Sequence, residues 1–585
     1  MSRSGASAKK WLVSRTNTEF VDYLSKSANV SPIIARILIN RNIKTPDRVT
    51  DFIQSSITSM SDPMKISGMD VAVWKIAEAI KKGRRILVHG DYDADGTTAT
   101  AIMVNVLGGL GALVEFFIPS RFNHGYGFHE KAVDLAKERG IGLIITVDCG
   151  ISSFKAVDLA MEYGIEVIIT DHHEPQWSEE QGGGSGVTPF KPILPDALCI
   201  INPKLDGIDS PLSILTGAGI ALKLSQALTG SLDDIRDLLD IAALGTIADV
   251  APLVGENRLI VKEGLCLLSS GNRPGIRALL KTAGLSNRPL CPDTLSYSII
   301  PRINAAGRMD DASKVVNLLV TQSAEEAEEI AKTLDRLNSE RQKVEEEVLV
   351  SALSRLNRRA RDCADTDDNV IVIAGEDWHE GVLGIVASKI VDRFNVPAIV
   401  FSIKDGLARG SARSVQDIDI CDTISSCSEH LIQFGGHKQA AGLKLRAENL
   451  TSFEKAIKTR VKDKFSGKDF TPTITIDADV YFKDINYKLI NELSKLAPYG
   501  YGNPEPILGA KGLLALKPRV VGKNHLKFKL GFNGHVIDAI GYEMGDMVHE
   551  LTSNARLDAI FTPTINAYNG TKSVQLNVKA LRPSE

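Results

Sequence analysis

The sequence has 585 residues, of which 43% are hydrophobic and 24% are charged, and its formal net charge is −4 at pH 7. This composition is typical of a globular protein and excludes a disordered chain, while the length predicts roughly three or four domains. No apolar run approaches the ~20 residues of a membrane span, and no apolar stretch follows the charged N-terminus. Neither a membrane segment nor a secretory signal is therefore predicted.

The seven cysteines are odd in number, and no two of them form a C-x-x-C pair. This pattern argues against a disulfide framework and against a zinc ribbon. A reducing compartment, the cytoplasm, is therefore expected. The small net charge neither supports nor excludes nucleic acid, because a local basic groove can coexist with an acidic metal site.

The N-terminal part of the chain predicts an α/β domain behind a mostly helical extension, residues 1–70. From Arg84, short apolar runs end in polar loops and alternate with helical stretches; the runs are "RILVHGDYDADG", "LIITVDCG" and "VIITDHHEP". Such a pattern indicates a buried parallel sheet, in which ligands gather at the carboxyl ends of the strands. We assign residues 71–320 to this domain, and all three polar clusters fall at that edge.

The C-terminal part predicts a connecting helix, a second α/β domain and a β-barrel. Residues 321–361 are rich in Glu, Ala, Arg and Leu without Gly or Pro, which predicts one long helix or two in tandem. Residues 362–468 return to the α/β pattern. Residues 469–585 alternate with a period of two, which predicts a small antiparallel barrel.

Nine acidic and imidazole side chains follow the predicted strands or, in one case, a later helix. They are His89, Asp91, Asp93, Asp95, Asp148, Asp171, His172, His173 and Asp249. Carboxylates that face one point repel each other unless a cation lies between them. Oxygen and imidazole ligands without thiolates suit Mn²⁺ or Mg²⁺ better than Zn²⁺ or Fe²⁺, and the ligands suffice for two ions.

Each cluster taken alone also has a structural interpretation. Asp91 or Asp95 could cap the following helix, and Asp148 could cap the helix after "CGISS". Adjacent histidines are more often surface or core residues than ligands. The conjunction of three clusters at successive ends of parallel strands is what favours a metal site.

Eight segments resemble a known family. "HGDYDADGTTA", "ITVDCG", "TDHHEP" and "LGTIADVAPL" resemble the four motifs of the DHH phosphoesterase superfamily. "PRINAAGRM", "GSARS", "FGGHKQAAG" and "LAPYGYGNPEP" resemble, in order, elements of the RecJ family of single-strand-specific 5′→3′ exonucleases. The resemblance implies an α/β fold in which a parallel-sheet DHH domain is joined by a long helix to a DHHA1-type domain, with a C-terminal OB-type barrel.

The resemblance also implies roles for the acidic and imidazole residues. One ion is held by His89 and Asp93, and Asp148 bridges both ions. The ligands of the other ion are Asp95, His172 and Asp249.

Three further residues would act beside these metal ligands. His173 would donate to a non-bridging oxygen of the scissile phosphate. Asp91 and Asp171 would orient ligands. A structural hydrogen bond at the strand end is an equally good explanation of Asp171.

Substrate contacts are predicted at several positions outside the metal site. Arg121 could hold a phosphate, or be a surface arginine, and Arg302 and Arg308 flank Asn304 in a segment that we expect to be poor in helix. By resemblance, Ser411 and Arg413 form a pocket for the 5′-terminal phosphate. The segment with Gly435, Gly436 and His437 is predicted to be a close-approach loop that binds substrate. In the barrel, candidate DNA contacts are Tyr499, Tyr501, Lys523, His525, Lys527 and Phe528, although a barrel aromatic is more often a core residue.

The function that the resemblance implies is metal-dependent 5′→3′ degradation of single-stranded DNA to 5′-mononucleotides, in DNA repair and recombination. Expected partners are single-stranded DNA and possibly a helicase and a single-strand-binding protein, with the chain itself a monomer. The alternatives are a DHH-type phosphodiesterase of short oligonucleotides or cyclic dinucleotides, and a scaffold without activity. The presence of every motif acid and histidine argues against the scaffold.

Overall fold

The structure is a computed structural model that describes residues 10–121, 127–179, 190–207, 209–362, 369–415, 418–465, 473–551, 556–568 and 571–584. Among these residues no helix is both long and apolar enough to cross a bilayer, and the cysteines are free thiols. The chain divides into two compact units. The larger consists of Trp11–Ile300, Ala312–Glu328 and Ile474–Glu585, and the smaller of Met1–Lys10, Pro301–Asp311 and Glu329–Thr473.

The α-helices of the described residues are α1 (Thr18–Ser27), α2 (Pro32–Asn40), α3 (Pro46–Gln54), α4 (Met69–Lys81), α5 (Ala94–Gly109), α6 (Glu130–Glu138), α7 (Phe154–Glu162), α8 (Gly217–Thr229), α9 (Leu239–Ala248), α10 (Gly255–Ser270), α11 (Pro274–Thr282), α12 (Pro292–Ser298), α13 (Ile300–Met309), α14 (Ser313–Val320), α15 (Ala324–Asp362), α16 (Leu383–Phe394), α17 (Ile420–Ser425), α18 (Leu450–Phe465) and α19 (Tyr487–Ser494).

The β-strands of the same residues are β1 (Lys10–Val13), β2 (Arg85–His89), β3 (Leu113–Phe117), β4 (Ile141–Val147), β5 (Glu166–Thr170), β6 (Gln176–Glu179), β7 (Phe190–Ile193), β8 (Cys199–Ile201), β9 (Ile371–Glu376), β10 (Ala398–Lys404), β11 (Leu407–Arg413), β12 (Gln433–His437), β13 (Ala440–Arg446), β14 (Thr473–Ile476), β15 (Ala478–Asp479), β16 (Leu508–Val521), β17 (His525–Phe532), β18 (His535–Gly541), β19 (Arg556–Tyr568) and β20 (Thr571–Pro583).

A five-stranded parallel sheet forms the centre of the larger unit, with the strand order β3-β2-β4-β5-β8. Its strands are continuous Val, Ile and Leu runs because helices cover both faces. β2, β4 and β5 are almost completely buried over their last residues. Since all strands run the same way, their carboxyl ends share one edge, and the predicted polar clusters lie there. The parallel sheet is confirmed.

A bundle of buried helices packs beside this sheet. α5 contacts α8 and α9, and α9 contacts α10. Every residue of α9 from Leu239 to Ile247 is buried, as expected for a helix that is apolar all round. α9 ends at Asp249, so the packing of this bundle decides where that carboxylate lies.

The barrel at the C-terminus belongs to the same unit. Its strands follow the order β16-β17-β18-β20-β19, and β19 also pairs with β16, which closes the barrel. The barrel shares a core with the N-terminal helices: Leu24 and Leu38 belong to the same buried cluster as Leu513 and Phe561. The predicted antiparallel pairing has two exceptions, and one is the short strand β15, which pairs with β16 in parallel. The strands β18 and β20 are also parallel. They can be parallel because β19 and a long connection separate them in sequence.

The smaller unit contains a second five-stranded sheet, with the order β12-β13-β11-β10-β9. Only β9 and β10 run parallel, with α16 as their crossover helix; the other pairs are antiparallel. Within this unit α15 packs Val348 and Ala352 into the core formed by β9, β10 and α16. α15 is one continuous helix of 39 residues.

The segment "PRINAAGRM" forms α13, so the prediction of a helix-poor segment is wrong. Pro301 lies in the first turn of the helix, where a missing N–H leaves no hydrogen bond unmade. Ala305 and Ala306 are good helix formers and are completely buried. These local preferences outweigh Gly307, which a helix interior disfavours.

Close packing of α9 on α10 should make Gly264→Ala destabilising. A methyl group at Gly264 would overlap the Leu239 carbonyl oxygen and the Ala243 methyl group of α9. Overpacking of this kind costs about 1–3 kcal/mol, which should outweigh the roughly 1 kcal/mol that alanine gains over glycine in a helix. The measurement is the urea concentration at the midpoint of unfolding.

The matched control is Gly108→Ala in α5, where nothing lies within 4 Å of the added methyl group. That variant should unfold at equal or higher urea concentration than the wild type. A Gly264→Ala protein as stable as the control would show that α9 and α10 are not in close contact.

Candidate metal centre and phosphate pocket

Asp148 lies directly after β4 in an unusual backbone conformation. Its φ is +61°, the left-handed region that residues other than glycine rarely adopt. Its N–H donates to the carbonyl oxygen of Thr170 at 3.0 Å, which holds the turn against β5. Asp148 caps no helix, since α7 begins only after Ser153. The strained turn keeps a buried carboxylate at the edge of the sheet.

Asp95 lies in the first turn of α5, and another helix holds its carboxylate. The amides of Gly217 and Ala218, at the N-terminus of α8, donate to its two oxygens at 2.7 and 3.0 Å. A helix N-terminus stabilises negative charge. Asp95 therefore remains at the site as an oriented carboxylate and does not cap its own helix. That cap is Asp93, whose Oδ1 accepts from the Gly96 N–H at 2.9 Å.

Asp171 organises the two histidines that follow it. Its Oδ1 accepts from the amides of His172 and His173 and from Nδ1 of His173, the last at 2.6 Å. Its Oδ2 accepts from the Ile151 N–H at 2.9 Å, in the loop after Asp148. The buried carboxylate of Asp171 thus connects the end of β5 with the loop after β4, and it fixes the orientation of the His173 ring.

His172 lies at the centre of the cluster. Its Nε2 is 3.0 Å from Asp148 Oδ1 and 3.8 Å from Asp95 Oδ2, and its Nδ1 is 3.9 Å from Asp249 Oδ2. Two groups of donor atoms result, each with its atoms within 4.8 Å of one another. They are Asp148, His172 and His173, and Asp95, His172 and Asp249.

Burial and mutual repulsion raise the pKa values of the clustered carboxylates. Burial and the charges of Asp249 and Asp93 raise the pKa of Asp95 to about 7. Burial and the charge of Asp93 raise the pKa of Asp249 to about 6. Burial, followed by the charges of Asp95 and Asp93, raises the pKa of Asp148 well above its ordinary value. A positive charge between these carboxylates would lower their pKa values.

The two histidines titrate in opposite directions. Burial and the neighbouring His173 charge lower the pKa of His172 to about 4, so its ring is neutral at pH 7. Burial alone would also lower the pKa of His173, but the hydrogen bond and charge of Asp171 raise it to about 9. A neutral imidazole can ligate a metal, whereas a protonated one donates hydrogen bonds.

These residues fit a divalent cation of the Mn²⁺ or Mg²⁺ class. The donors are carboxylate oxygens and imidazole, without thiolates. Asp91, completely buried, adds an Oδ1 that has no hydrogen-bond partner among the described residues. Burial and the charge of Asp93 raise its pKa as well. A cation would compensate the repulsion that the chain's own groups leave.

His89 and Asp93 do not belong to the two donor groups found among the described residues. The His89 ring is buried, 5.1 Å from the Phe128 ring, and its Nδ1 is 3.6 Å from the Cys149 sulfur. Asp93 is the helix cap described above, yet its charge acts on the neighbouring carboxylates. Their assignment as ligands stays a prediction.

Arg121 lies beside this cluster, with its guanidinium 4.3 Å from the ring centre of Tyr92. Its Nε is buried and has no hydrogen-bond partner among the described residues. Its charge also acts on Asp91. Arg121 is therefore more than a surface arginine, and a phosphate could satisfy its remaining donor capacity.

Comparison with known proteins places the chain in a family. A family model described as "DHH family, N-terminal domain" matches residues 85–246, one described as "DHHA1 domain" matches 367–463, and one described as "RecJ OB domain" matches 476–580. The chain is 32% identical to "Single-stranded-DNA-specific exonuclease RecJ" of Escherichia coli, covering 95% of this chain and 96% of that protein. The chain belongs to the RecJ family.

Other RecJ proteins show the same relation. The Bacillus subtilis protein of that name is 36% identical over 99% of this chain and 72% of its own length. The crystal structure of Thermus thermophilus RecJ in complex with Mn²⁺ has a TM-score of 0.81 and 30% identity, and covers 98% of this chain and 80% of that chain. A second structure of that protein contains Mg²⁺. Mn²⁺ or Mg²⁺ is accordingly the cofactor of the RecJ fold found here.

The smaller unit brings together the residues predicted to bind a terminal phosphate. Ser411 and Arg413 lie on β11, and Arg413 Nη1 donates to Ser411 Oγ at 3.1 Å. A methyl group at Gly384, in the first turn of α16, would lie 2.8 Å from Arg413 Nη2 and 3.1 Å from Ser411 Oγ. A hydroxyl, a guanidinium and a helix N-terminus therefore meet, and all three favour an anion.

The predicted contacts of α13 have partners within the smaller unit. Arg302 forms an ion pair with Asp335 of α15 at 2.9 Å. Arg308 Nη1 donates to the carbonyl oxygen of Gly381 at 3.0 Å, in the turn that precedes α16. Asn304 lies between them on the same helix. Arg308 thus supports the start of α16, and phosphate contacts for these three residues remain predictions.

The glycine segment of the smaller unit is an exposed edge strand. The prediction of a loop there is wrong, because Gly435 and Gly436 pair with Gly442 and Ala441 as β12 and β13. Gly436 has φ +149°, and a methyl group there would overlap the carbonyl oxygen of Ala440, so only glycine fits. His437 ends this strand and is exposed. Contact between His437 and the substrate stays a prediction.

The barrel candidates divide into core and surface residues. Phe528 is 2% exposed and belongs to the barrel core, so it is not available to stack on a base. Tyr499 packs against that core, and its hydroxyl donates to the Leu493 carbonyl oxygen. Tyr501 is 65% exposed. The lysine and histidine candidates Lys523, His525 and Lys527 are exposed or half-buried.

Three glycines were missed by sequence reasoning. A methyl group at Gly217 would lie 2.5 Å from Asp148 Cβ, and one at Gly245 would lie 2.7 Å from Asp95 Oδ1. Gly384 likewise leaves room for the side chains of Arg413 and Ser411. Each is a glycine inside or at the start of an apolar helix, and that is the signal that could have revealed a close approach.

Replacing Asp171 should change the titration of His173 in metal-free protein. In Asp171→Asn the charge that raises the pKa is lost while burial remains, so the pKa should fall from about 9 to 6.5 or lower. Because the folded-state pKa is raised, the wild-type pair stabilises the fold fully below about pH 6.5 and loses this contribution as the pH rises through about 9. The measurement is NMR titration of ¹³C-labelled histidine in EDTA.

The control is Asp134→Asn on α6, which should leave the His173 titration unchanged. An unchanged His173 pKa in Asp171→Asn would show that the hydrogen bond does not set the charge of this ring.

Proposed function

We propose that the chain is a metal-dependent exonuclease that degrades single-stranded DNA in the 5′→3′ direction to 5′-mononucleotides. The observation that carries the proposal is the convergence of Asp95, Asp148, His172 and Asp249 at the carboxyl edge of the parallel sheet. The names of the related proteins, single-stranded-DNA-specific exonucleases, support the same substrate and reaction.

The metal centre would hold two ions. Asp95, His172 and Asp249 would bind one, His89 and Asp93 the other, and Asp148 would bridge them. When bound, such cations activate a water and neutralise the charge that develops on the phosphate. Asp148 suits the bridging role because it is buried and because burial and the charges of its acidic neighbours raise its pKa.

His173 would act directly on the scissile phosphate. Its raised pKa keeps the ring protonated at pH 7, which disfavours metal ligation and favours donation to a non-bridging oxygen. Asp171 holds the ring through Nδ1, so Nε2 is the atom that we assign to the phosphate. Asp91 and Asp171 would orient the ligands, and Arg121 would hold a phosphate of the strand.

The direction of degradation would come from recognition of the strand terminus. A 5′-terminal phosphate carries more charge than an internal phosphodiester, and the pocket of Ser411, Arg413 and the α16 N-terminus suits that charge. Arg302, Asn304, Arg308, Gly435, Gly436 and His437 are proposed as further substrate contacts. Tyr501 is the barrel aromatic most exposed for stacking on a base.

The cellular setting is proposed from the same resemblance. We place the enzyme in the cytoplasm, in DNA repair and recombination, acting as a monomer on single strands. A helicase would supply those strands, and a single-strand-binding protein would keep them open.

The test is a single-stranded DNA labelled at its 5′ phosphate and incubated with the chain and Mn²⁺ or Mg²⁺. We expect early release of the label as a mononucleotide, no release from a blunt duplex, and no reaction in EDTA. Resistant DNA together with rapid cleavage of dinucleotides would instead support the alternative, a phosphodiesterase of short oligonucleotides or cyclic dinucleotides.

Asp148→Ala should abolish turnover while single-stranded DNA binding stays measurable, because the carboxylate serves the reaction and not the strand. The readouts are the labelled-strand assay and fluorescence anisotropy of the same DNA in EDTA. Asp158→Ala, at an exposed position of α7, is the control and should retain full activity. Retained turnover in Asp148→Ala would refute the bridging role.

Arg413→Ala should remove the preference for a phosphorylated 5′ end. Hydrogen bonds to charged groups contribute about 1.5–3 kcal/mol, so KM for the phosphorylated strand should rise about 10- to 100-fold. The 5′-hydroxyl strand should be affected little. Arg409→Ala is the matched control, since Arg409 lies on the same strand but pairs with Glu380. Equal effects on both strands would show that Arg413 does not read the terminal phosphate.

A further inference from the structure

The segment that carries Asp249 is strained, and contacts from outside α9 add to those that the helix itself makes. α9 ends at Asp249, and Val250 follows with φ +56°, a left-handed conformation that is costly for a β-branched residue. Val250 is 65% exposed, so its own side-chain packing does not hold it there. Within α9, the Val250 N–H donates to the Ile247 carbonyl oxygen at 3.2 Å and the Ala251 N–H to that of Thr246 at 3.4 Å. These bonds cap the helix and shape the bend, and contacts further along the chain fix the residues that leave it.

Two contacts hold the residues after the bend. Asn257 of α10 donates to the Pro252 carbonyl oxygen at 3.2 Å. The Leu253 N–H donates to the carbonyl oxygen of Tyr501 at 2.7 Å. Tyr501 lies almost 250 residues further along the chain, in the segment "LAPYGYGNPEP" that leads into the barrel. Both residues belong to the larger unit.

The segment from Gly500 to Asn503, which we name the barrel turn, is built to fit this place. Gly500 and Asn503 exchange backbone hydrogen bonds of 3.0 and 3.1 Å and close a tight turn. A methyl group at Gly500 would lie 2.7 Å from Leu253 Cδ1, and one at Gly502 would lie 3.0 Å from Pro252 Cβ. Gly502 also has φ +73°. The two glycines allow the turn to contact the Asp249 segment.

The barrel turn is itself rigid. Asn503 is completely buried, and its side-chain amide donates to the carbonyl oxygens of Leu496 and Pro498 at 2.9 and 2.8 Å. Arg41, which follows α2 in the N-terminal extension, donates to Asn503 Oδ1 and to the Pro504 carbonyl oxygen. The turn can therefore transmit its position to Leu253.

Arg258 of α10 fixes the residues that lead into the barrel turn. Its Nη2 donates to the carbonyl oxygens of Lys495 and Ala497, the latter at 2.6 Å, and its guanidinium lies 4.1 Å from the Phe52 ring centre. The arginine is 2% exposed. Three parts of the chain thus converge on the barrel turn: the N-terminal extension, α10 and the barrel.

We propose that the barrel turn is a positioning element for Asp249, so that divalent-ion affinity at Asp95, His172 and Asp249 depends on the docked barrel. This inference rests on the proposed metal centre. Its residues act through the backbone of Leu253 and touch neither ion nor substrate. Outer contacts that orient metal ligands change metal affinity by about 10- to 100-fold, and the barrel turn should have an effect of that size.

The experiment measures Mn²⁺ binding to the full chain without DNA, by calorimetry and by the EPR signal of free Mn²⁺. Three glycine variants separate contact from backbone strain. Gly500→Ala adds the contact with Leu253 at an ordinary φ. Gly502→Ala adds contact with Pro252 and strain. Gly534→Ala, in the turn between β17 and β18, adds strain at φ +82° with nothing within 4 Å.

We expect Gly502→Ala, and to a smaller extent Gly500→Ala, to weaken one Mn²⁺ site about 10-fold or more. Gly534→Ala should bind Mn²⁺ like the wild type, although its Tm should fall as for Gly502→Ala. Tyr501→Ala should also keep the Mn²⁺ affinity, because the contact uses the backbone carbonyl. Wild-type Mn²⁺ affinity in both Gly500→Ala and Gly502→Ala would overturn the proposal.

Asp249→Asn distinguishes failure of this proposal from failure of the metal centre. If Asp249→Asn leaves Mn²⁺ binding unchanged, the metal assignment itself is wrong. If Asp249→Asn weakens one site, adding Gly502→Ala to it should cause no further loss at that site, since the ligand to be positioned is gone. Additive losses would mean that the barrel turn acts elsewhere.

Discussion

The repulsion among buried carboxylates is the constraint on which the rest of the larger unit depends. Asp95 and Asp148 lie almost completely buried within reach of one neutral imidazole, His172. Such an arrangement is unfavourable in a folded chain without a cation, and burial makes it worse. The fold must therefore hold these groups against their own electrostatics. Backbone amides and the hydrogen bonds of Asp171 hold these groups in position. The close packing of the surrounding helices leaves the carboxylates no alternative position.

Backbone conformation is part of this arrangement. Two residues of the site, Asp148 and Val250, adopt left-handed conformations that cost about 1–3 kcal/mol each and persist only where surrounding structure enforces them. A hydrogen bond to Thr170 on the neighbouring strand holds Asp148, and hydrogen bonds to Ile247 and Thr246 of α9 hold the bend at Val250. The Tyr501 carbonyl oxygen holds Leu253, three residues further on. In the proposal made above, the metal centre also depends on the barrel and the N-terminal helices, which touch no ligand.

The anion site that we propose in the smaller unit would use the same physical means with the opposite charge. A helix N-terminus that stabilises a carboxylate in the larger unit, as α8 does for Asp95, is suited in the smaller unit to a phosphate beside Arg413. Gly384 lets β11 approach α16 closely. The activity that we propose joins these two kinds of site on one DNA strand, with reaction at one and recognition of the terminus at the other.

Local sequence was enough to predict the parallel sheet, the barrel and most of the acidic and imidazole cluster, because strand periodicity and the strand-end motifs are short-range features. It also led to two errors: the segment expected to be poor in helix is α13, and the glycine segment expected to be a loop is the strand β12. Only the folded chain showed that Asp93 caps a helix, that Gly217 and Gly245 leave room for carboxylates, and that Tyr501 supports the Asp249 segment. Except for the cap at Asp93, these contacts join residues that lie far apart in the sequence. They depend on differences in distance of a few tenths of an ångström, which no pattern of residue types encodes.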